Sequence, residues 1–268
     1  MTTTTLRSFV TAALTIAACG AIYLTLRAQA AHPPPDFSGV YRPINAFGGP
    51  PGRGGRAAAP RPAPGQPLPP PTRTAPLSDG SQGRAPNAPQ LTPEYLSKWQ
   101  AISKARIAGD TSSDNTARCL PPGMPAMMNM AYGMEVMQTK DKITFFSELN
   151  DALRRVYLDG RKPTPAILDD PTYAGYSTGH WEGDTLLVDT VALRANTYIE
   201  GFSPHSDQMT VHERIRFIEG GILEDRITVT DPKALVKPWD TVKTYRRTAL
   251  GDDQLREFAC AEGIEHAK

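Results

Sequence analysis

The sequence predicts an all-β domain: an antiparallel meander closed as a β-barrel, with one N-terminal helix packed on it. Three observations predict this. From about residue 134 to residue 260, short runs alternate apolar and polar side chains with the period of two that a strand imposes. Compact turn residues separate the runs: Lys140-Asp141, Asp159-Gly160, Glu182-Gly183-Asp184, Glu219-Gly220-Gly221 and Gly251-Asp252-Asp253. One stretch alone, before the strands, places its apolar residues at helical spacing. Short strands at regular spacing belong to barrels and sandwiches.

The elements follow in chain order. Residues 1–31 read as an export segment, with Arg7 the only charge before an apolar stretch from Phe9 to Leu26. Three fates are open: cleavage after Ala28-Gln29-Ala30, acylation of Cys19 within Ile16-Ala17-Ala18-Cys19, or retention as a membrane anchor. Each exports the rest of the chain, to the periplasm or outside the cell. Residues 32–92 hold a first strand, Asp36-Phe37-Ser38-Gly39-Val40-Tyr41-Arg42, and then a Pro/Gly-rich segment that cannot build a core. That segment reads as a disordered insertion or as a plain linker.

The helix and barrel domain spans 93–268. Its helix runs over about 93–108, with Thr92 as N-cap, Pro93 at the first position and Glu94 in the first turn. Tyr95, Trp99 and Ile102 form its apolar stripe, and Gly109 ends it. A loop over 110–133 carries Met127, Met128 and Met130, either a lid over an apolar pocket or the packing of a long loop. Strands are expected at 134–139, 142–149, 153–158, 174–181, 184–191, 208–218, 222–230, 240–248 and 254–260. The long connections, 159–173 and 192–207, are the natural places for function.

Composition narrows the function. A net charge of +1 with both signs interspersed leaves no basic footprint for nucleic acid. Apart from Cys19, the cysteines are Cys119 and Cys260, at the two ends of the strand-rich region. In an oxidising compartment they are a natural disulfide pair; the other reading is two buried thiols. No Gly-rich loop follows a strand and opens a helix, so no nucleotide cofactor is expected. His180, His205, His212, Asp189 and Glu213 have metal-ligand chemistry but no ligand spacing, so no metal is expected.

The strands repeatedly set a carboxylate among aliphatic neighbours. Glu213 alternates with Met209, Val211, Ile215 and Phe217, and Asp225 with Leu223, Ile227 and Val229. A charge inside a barrel is costly unless it is paired or used. An inward Arg from Arg154-Arg155 paired with Glu148, Glu213 or Asp225 would make a structural network with depressed carboxylate pKa values. Without that cation, desolvation raises them. Asp189 alternates with Leu187 and Val191 and is placed inward. His205, in Gly201-Phe202-Ser203-Pro204-His205-Ser206-Asp207, is a general acid or base at the barrel mouth, or a turn cap through its ring nitrogens.

With these segments placed, the chain resembles an uncharacterised family of exported bacterial proteins. The resemblance rests on Asp36-Phe37-Ser38-Gly39-Val40-Tyr41, Cys119-Leu120-Pro121-Pro122-Gly123-Met124-Pro125, Arg154-Arg155-Val156-Tyr157-Leu158-Asp159-Gly160-Arg161, Trp181-Glu182-Gly183-Asp184-Thr185-Leu186-Leu187-Val188-Asp189-Thr190 and Pro204-His205-Ser206. Tyr41 stands where Trp is usual in that family, and Lys162 where His is expected. No reaction carries over. The plan is also similar to lipocalin-like barrels, a likeness of fold alone.

Two functions are expected. The first is an exported protein that binds a small apolar or amphipathic molecule in its interior. Met127, Met128, Met130, Glu148, Arg155, Tyr157, His180, Phe202 and Asp225 would line that site. The alternative is a cofactor-independent lyase or isomerase on a small hydrophobic substrate. There His205 shuttles a proton, Glu213 or Asp189 is its partner, and Tyr176 or Arg155 steadies oxyanion charge.

Overall fold

Among the described residues, nine strands close into one ring. The structure is a computed structural model that describes residues 33–44, 87–129, 132–249 and 254–258. The export segment, most of the Pro/Gly-rich segment, Met130, the Gly251-Asp252-Asp253 turn and Cys260 lie outside the described residues. The unit described below begins at Asp36.

The strands are β1 (Gly39–Pro43), β2 (Met134–Gln138), β3 (Lys142–Ser147), β4 (Ala152–Tyr157), β5 (Tyr176–Glu182), β6 (Thr185–Val191), β7 (Thr210–Ile218), β8 (Ile222–Thr230) and β9 (Trp239–Arg247). They neighbour each other in sequence order, and β1 closes the ring against β9 with Tyr41 opposite Arg247. The strand ahead of the Pro/Gly-rich segment is therefore a barrel strand. Residues 254–258, expected to form the last strand, carry no strand. β1 already occupies the edge of β9 that such a strand would need.

The wholly antiparallel meander is corrected at one seam. Neighbours that alternate up and down around a closed ring must be even in number, and nine strands leave one pair running the same way. That pair is β4 and β5, which are parallel and matched through Val156↔Ser177 and Tyr157↔Thr178. A parallel pair needs a long return connection. Residues 158–175 provide it and contain a short helix, α2 (Pro165–Asp169), after α1 (Pro93–Ile107) earlier in the chain. The N-cap hydroxyl of Thr164 accepts from the Ile167 amide.

Helix α1 starts at Pro93, carries Glu94 in its first turn and Lys104 and Arg106 in its last, and so complements the helix dipole. Thr92 does not cap it through its side chain, because its hydroxyl donates to the Lys233 carbonyl at 2.9 Å. Tyr95 and Trp99 are buried, and the Trp99 indole N–H donates to the Gly201 carbonyl at 3.0 Å.

The core fills the ring. Phe37 closes one end, with its ring 5.1 Å from Trp181 and 5.1 Å from Phe217. At the other end Met124, Met127 and Met128 are buried as part of the core. The Tyr245 hydroxyl donates to the Met128 carbonyl.

Candidate functional site

Alternation on β4 turns Ala152, Arg154 and Val156 inward and leaves Leu153 and Arg155 exposed. Arg154 is thus the interior cation, and Arg155, expected at a ligand, is on the outer face. Glu213 from β7 and Asp225 from β8 are both fully buried beside it. Arg154 Nη1 donates to Glu213 Oε1 at 2.8 Å, and Nη2 donates to Glu213 Oε2. The same guanidinium donates to Ser177 Oγ at 3.1 Å and to Thr190 Oγ1 at 2.9 Å. Glu213 is held in a bidentate ion pair, the strong geometry for this pairing. It is not the proton partner of His205 that the alternative reading requires.

Asp225 has no such cation. Among the described residues, neither of its oxygens finds a hydrogen-bond donor. Burial, and then the neighbouring Glu213 charge, hold its carboxyl well above the usual carboxylate range, with Arg154 pulling the other way. Expected among the ligand-binding residues, it is sealed inside the barrel. Burial also pushes the Tyr245 phenol well up, with Asp225 and Glu213 adding to it. An interior ligand would have to displace Arg154, Glu213, Phe145 and Val188, all of which are buried.

His205 is buried in the loop between β6 and β7. Its Nδ1 lies 2.8 Å from the Ser206 carbonyl, which can only accept, so Nδ1 carries a proton. Its Nε2 lies 2.7 Å from Thr197 Oγ1. Burial pulls its pKa down, against the Ser206 carbonyl and the Asp231 charge. The Thr197 hydroxyl also reaches the Arg194 carbonyl at 3.1 Å, so its one proton lies between two acceptors. Both nitrogens are committed, and His205 ties two parts of one loop together. Asp231 completes the tie by accepting from Ser206 N–H at 2.6 Å, Ser206 Oγ at 2.8 Å and Ala234 N–H at 3.0 Å.

The other expected residues scatter. Asp189 does share a face with Leu187 and Val191, but that face is outward: Asp189 is exposed and pairs with His212 Nδ1 at 2.8 Å. The inward set on β6 is Leu186, Val188 and Thr190. His180 is exposed near Glu182 at 3.7 Å. Glu148 accepts from Arg42 at 2.8 Å and from the Gly133 and Arg256 amides at 3.1 and 2.6 Å, so it anchors backbone rather than a ligand. Those partners hold its pKa low against the opposing effect of burial, which is the larger single influence. Phe202, at φ +61°, packs on Tyr198 and under the Arg106 guanidinium.

Four expected residues do converge. Met127, Arg155, Tyr157 and Tyr176 line one open cleft of about 380 Å³ on the outside of the parallel seam. Two residue pairs join β4 and β5, and the end of the return connection, Thr172 to Gly175, lines the cleft with them. The Tyr157 and Tyr176 rings lie 5.3 Å apart at 32°. The Arg161 guanidinium covers Tyr157 at 4.2 Å, and that of Arg194 lies 5.1 Å from the Tyr173 ring. Arg155 has no carboxylate partner among the described residues. Two glycines shape the cleft wall. A Cβ on Gly123 would lie 2.4 Å from Thr197 Cγ2, and one on Gly175 would lie 2.7 Å from the Val191 carbonyl, both at positive φ.

Residues missed at this cleft are Asp151, Thr172 and Tyr173. Asp151 follows Asn150 in a turn pair, and both take a left-handed backbone, φ +53° and +48°, that Asn and Asp tolerate. Tyr173 lies in the long connection already marked as a place for function.

No family model and no curated protein matches the chain. Among solved structures, it is similar to the N57A mutant of the fluorescent protein UnaG. The identity is 15%, covering 44% of this chain and 71% of that one, with a TM-score of 0.26. Wild-type UnaG gives 16% identity, 52% and 89% coverage, and a TM-score of 0.27. The closed barrel described above rests on the strand pairing of this chain itself.

Proposed function

We propose that this protein binds a small amphipathic molecule in the cleft over the β4–β5 seam. One observation carries the reading: Met127, Arg155, Tyr157 and Tyr176 line a single open cleft. The tyrosine rings and the methionine offer apolar and aromatic area at low entropic cost. Arg155, exposed and without a carboxylate partner among the described residues, offers a charge for an anionic group on the ligand. The reading includes export of the chain and closure of a Cys119–Cys260 disulfide. The apolar stretch Phe9 to Leu26 and the Ala28-Gln29-Ala30 site support export.

The test is fluorescence titration of the full chain with anilinonaphthalene sulfonate, an aromatic anion. Saturable binding is expected, weakened about tenfold, or about 1.4 kcal/mol, by Tyr176→Ala and by Arg155→Gln. Equal affinity in the wild type and both variants would remove the cleft from consideration. Thiol counting on the exported, denatured chain tests the disulfide: a free Cys119 speaks against it.

A further inference from the structure

We propose that Asp225 and Glu213 share one proton inside the barrel, and that this proton makes the stability of the barrel pH-dependent. Two carboxyl groups and one guanidinium are sealed at the centre. Arg154 directs four of its five N–H donors to both Glu213 oxygens, Ser177 and Thr190, and none is within hydrogen-bond reach of Asp225. From β9, the Tyr245 hydroxyl donates away, to the Met128 carbonyl. Lys243 sits opposite Asp225 in register, with its Nζ 3.6 Å from Glu200. From β7, Ile215 is opposite Asp225 and contributes no polar group. Both Asp225 oxygens are left without a donor among the described residues.

An ionised carboxylate in that position would be a buried charge with nothing to solvate it. A protonated one is a donor, and the Glu213 carboxylate is the acceptor beside it. The cluster then holds one positive charge on Arg154, one negative charge on the carboxyl pair, and one proton between the two acids. On ionisation the proton leaves to solvent, and two carboxylates remain for one guanidinium. Arg154 and the partly buried Lys243 are the cations that oppose this cost, and both already favour the ionised form of Asp225.

The sign follows from linkage. The folded chain keeps the Asp225 proton at pH values where the unfolded chain has released it. The stabilisation is whole below about pH 4, the unfolded value, and is lost as pH rises through the folded value. Over that window the folding constant falls about tenfold per pH unit from this one proton. Other carboxylates, Glu148, Glu224 and Asp114 among them, have lowered pKa values and act in the opposite direction at acid pH. The difference between wild type and an Asp225 variant isolates the proton.

The experiment is denaturant unfolding of the full chain between about pH 5 and about pH 9, for wild type and Asp225→Asn. The asparagine copies the neutral acid, including its ability to donate to Glu213. The ratio of the two folding constants is expected to fall with pH, and the variant is expected to lack that slope. Parallel slopes overturn the proposal. Infrared spectra of the wild type at neutral pH give a second readout that does not need the variant to fold. A protonated carboxyl stretch supports the proton, and its absence overturns it.

Discussion

His212 and Glu213 are adjacent on β7 and each meets a partner of opposite acid–base character, yet they live in different solvents. His212 faces out, meets Asp189 at 2.8 Å, and both side chains remain largely in water. Glu213 faces in and meets Arg154 where neither side chain touches solvent. One step along the backbone exchanges high dielectric for low. Outside, attraction is weak and salt-screened. Inside, attraction is strong but desolvation is large, so removing one partner costs far more than the pair contributes.

The largest test of that contrast is Arg154→Ala. It leaves Glu213 and Asp225 buried with no cation between them, and a loss of about 3–5 kcal/mol is expected in denaturant unfolding. The double change Arg154→Met with Glu213→Leu should recover much of the loss, because it removes both charges. A double variant no more stable than Arg154→Ala would mean that the pair itself, not the orphaned charge, holds the barrel.

Next in size is Gly123→Ala at the loop end. Its Cβ would press on Thr197, whose hydroxyl lies 2.7 Å from His205 Nε2, at a positive φ. A loss of about 1–3 kcal/mol is expected in thermal or denaturant unfolding. An unchanged midpoint would show that Thr197 can move aside freely.

His205 itself gives a pH prediction of the opposite sign to Asp225. Burial lowers its pKa, so its contribution is present above about pH 6.5 and is lost as pH falls through the folded value. Its ring resonances should stay constant where an ordinary histidine titrates. A midpoint near the ordinary value would mean that the ring reaches water.

The smallest effect belongs to the outer pair. Asp189→Asn should change stability by less than about 1 kcal/mol, and less still at high salt. A loss comparable to that of Arg154→Ala would erase the inside–outside distinction.

The period of two on each strand was legible in the sequence. It placed Glu213 with Val211 and Ile215, Asp225 with Leu223 and Ile227, and Asp189 with Leu187 and Val191. It could not say which of two mixed faces turns inward. On β6 the triplet Leu186-Leu187-Val188 is apolar on both faces, and Leu187 is buried although it points outward. Asp189 was therefore placed on the wrong side. On β4, Arg154 and Arg155 are chemically equivalent neighbours, each with apolar residues two positions away.

Local chemistry alone determined strands β2 to β9 and the inward carboxylates of β7 and β8, though not the absence of a strand over 254–258, because side-chain alternation and turn residues act over a few positions. Closure was decided only in three dimensions. Gly39 on β1 pairs with Val136 on β2 across almost a hundred residues, and this ninth strand forces a parallel seam on the ring. That seam brings Tyr157 and Tyr176 together outside, and the closed interior joins Arg154 to Glu213. Long-range pairing has no local period, so neither the cleft nor the proton on Asp225 is written in any single stretch of the chain.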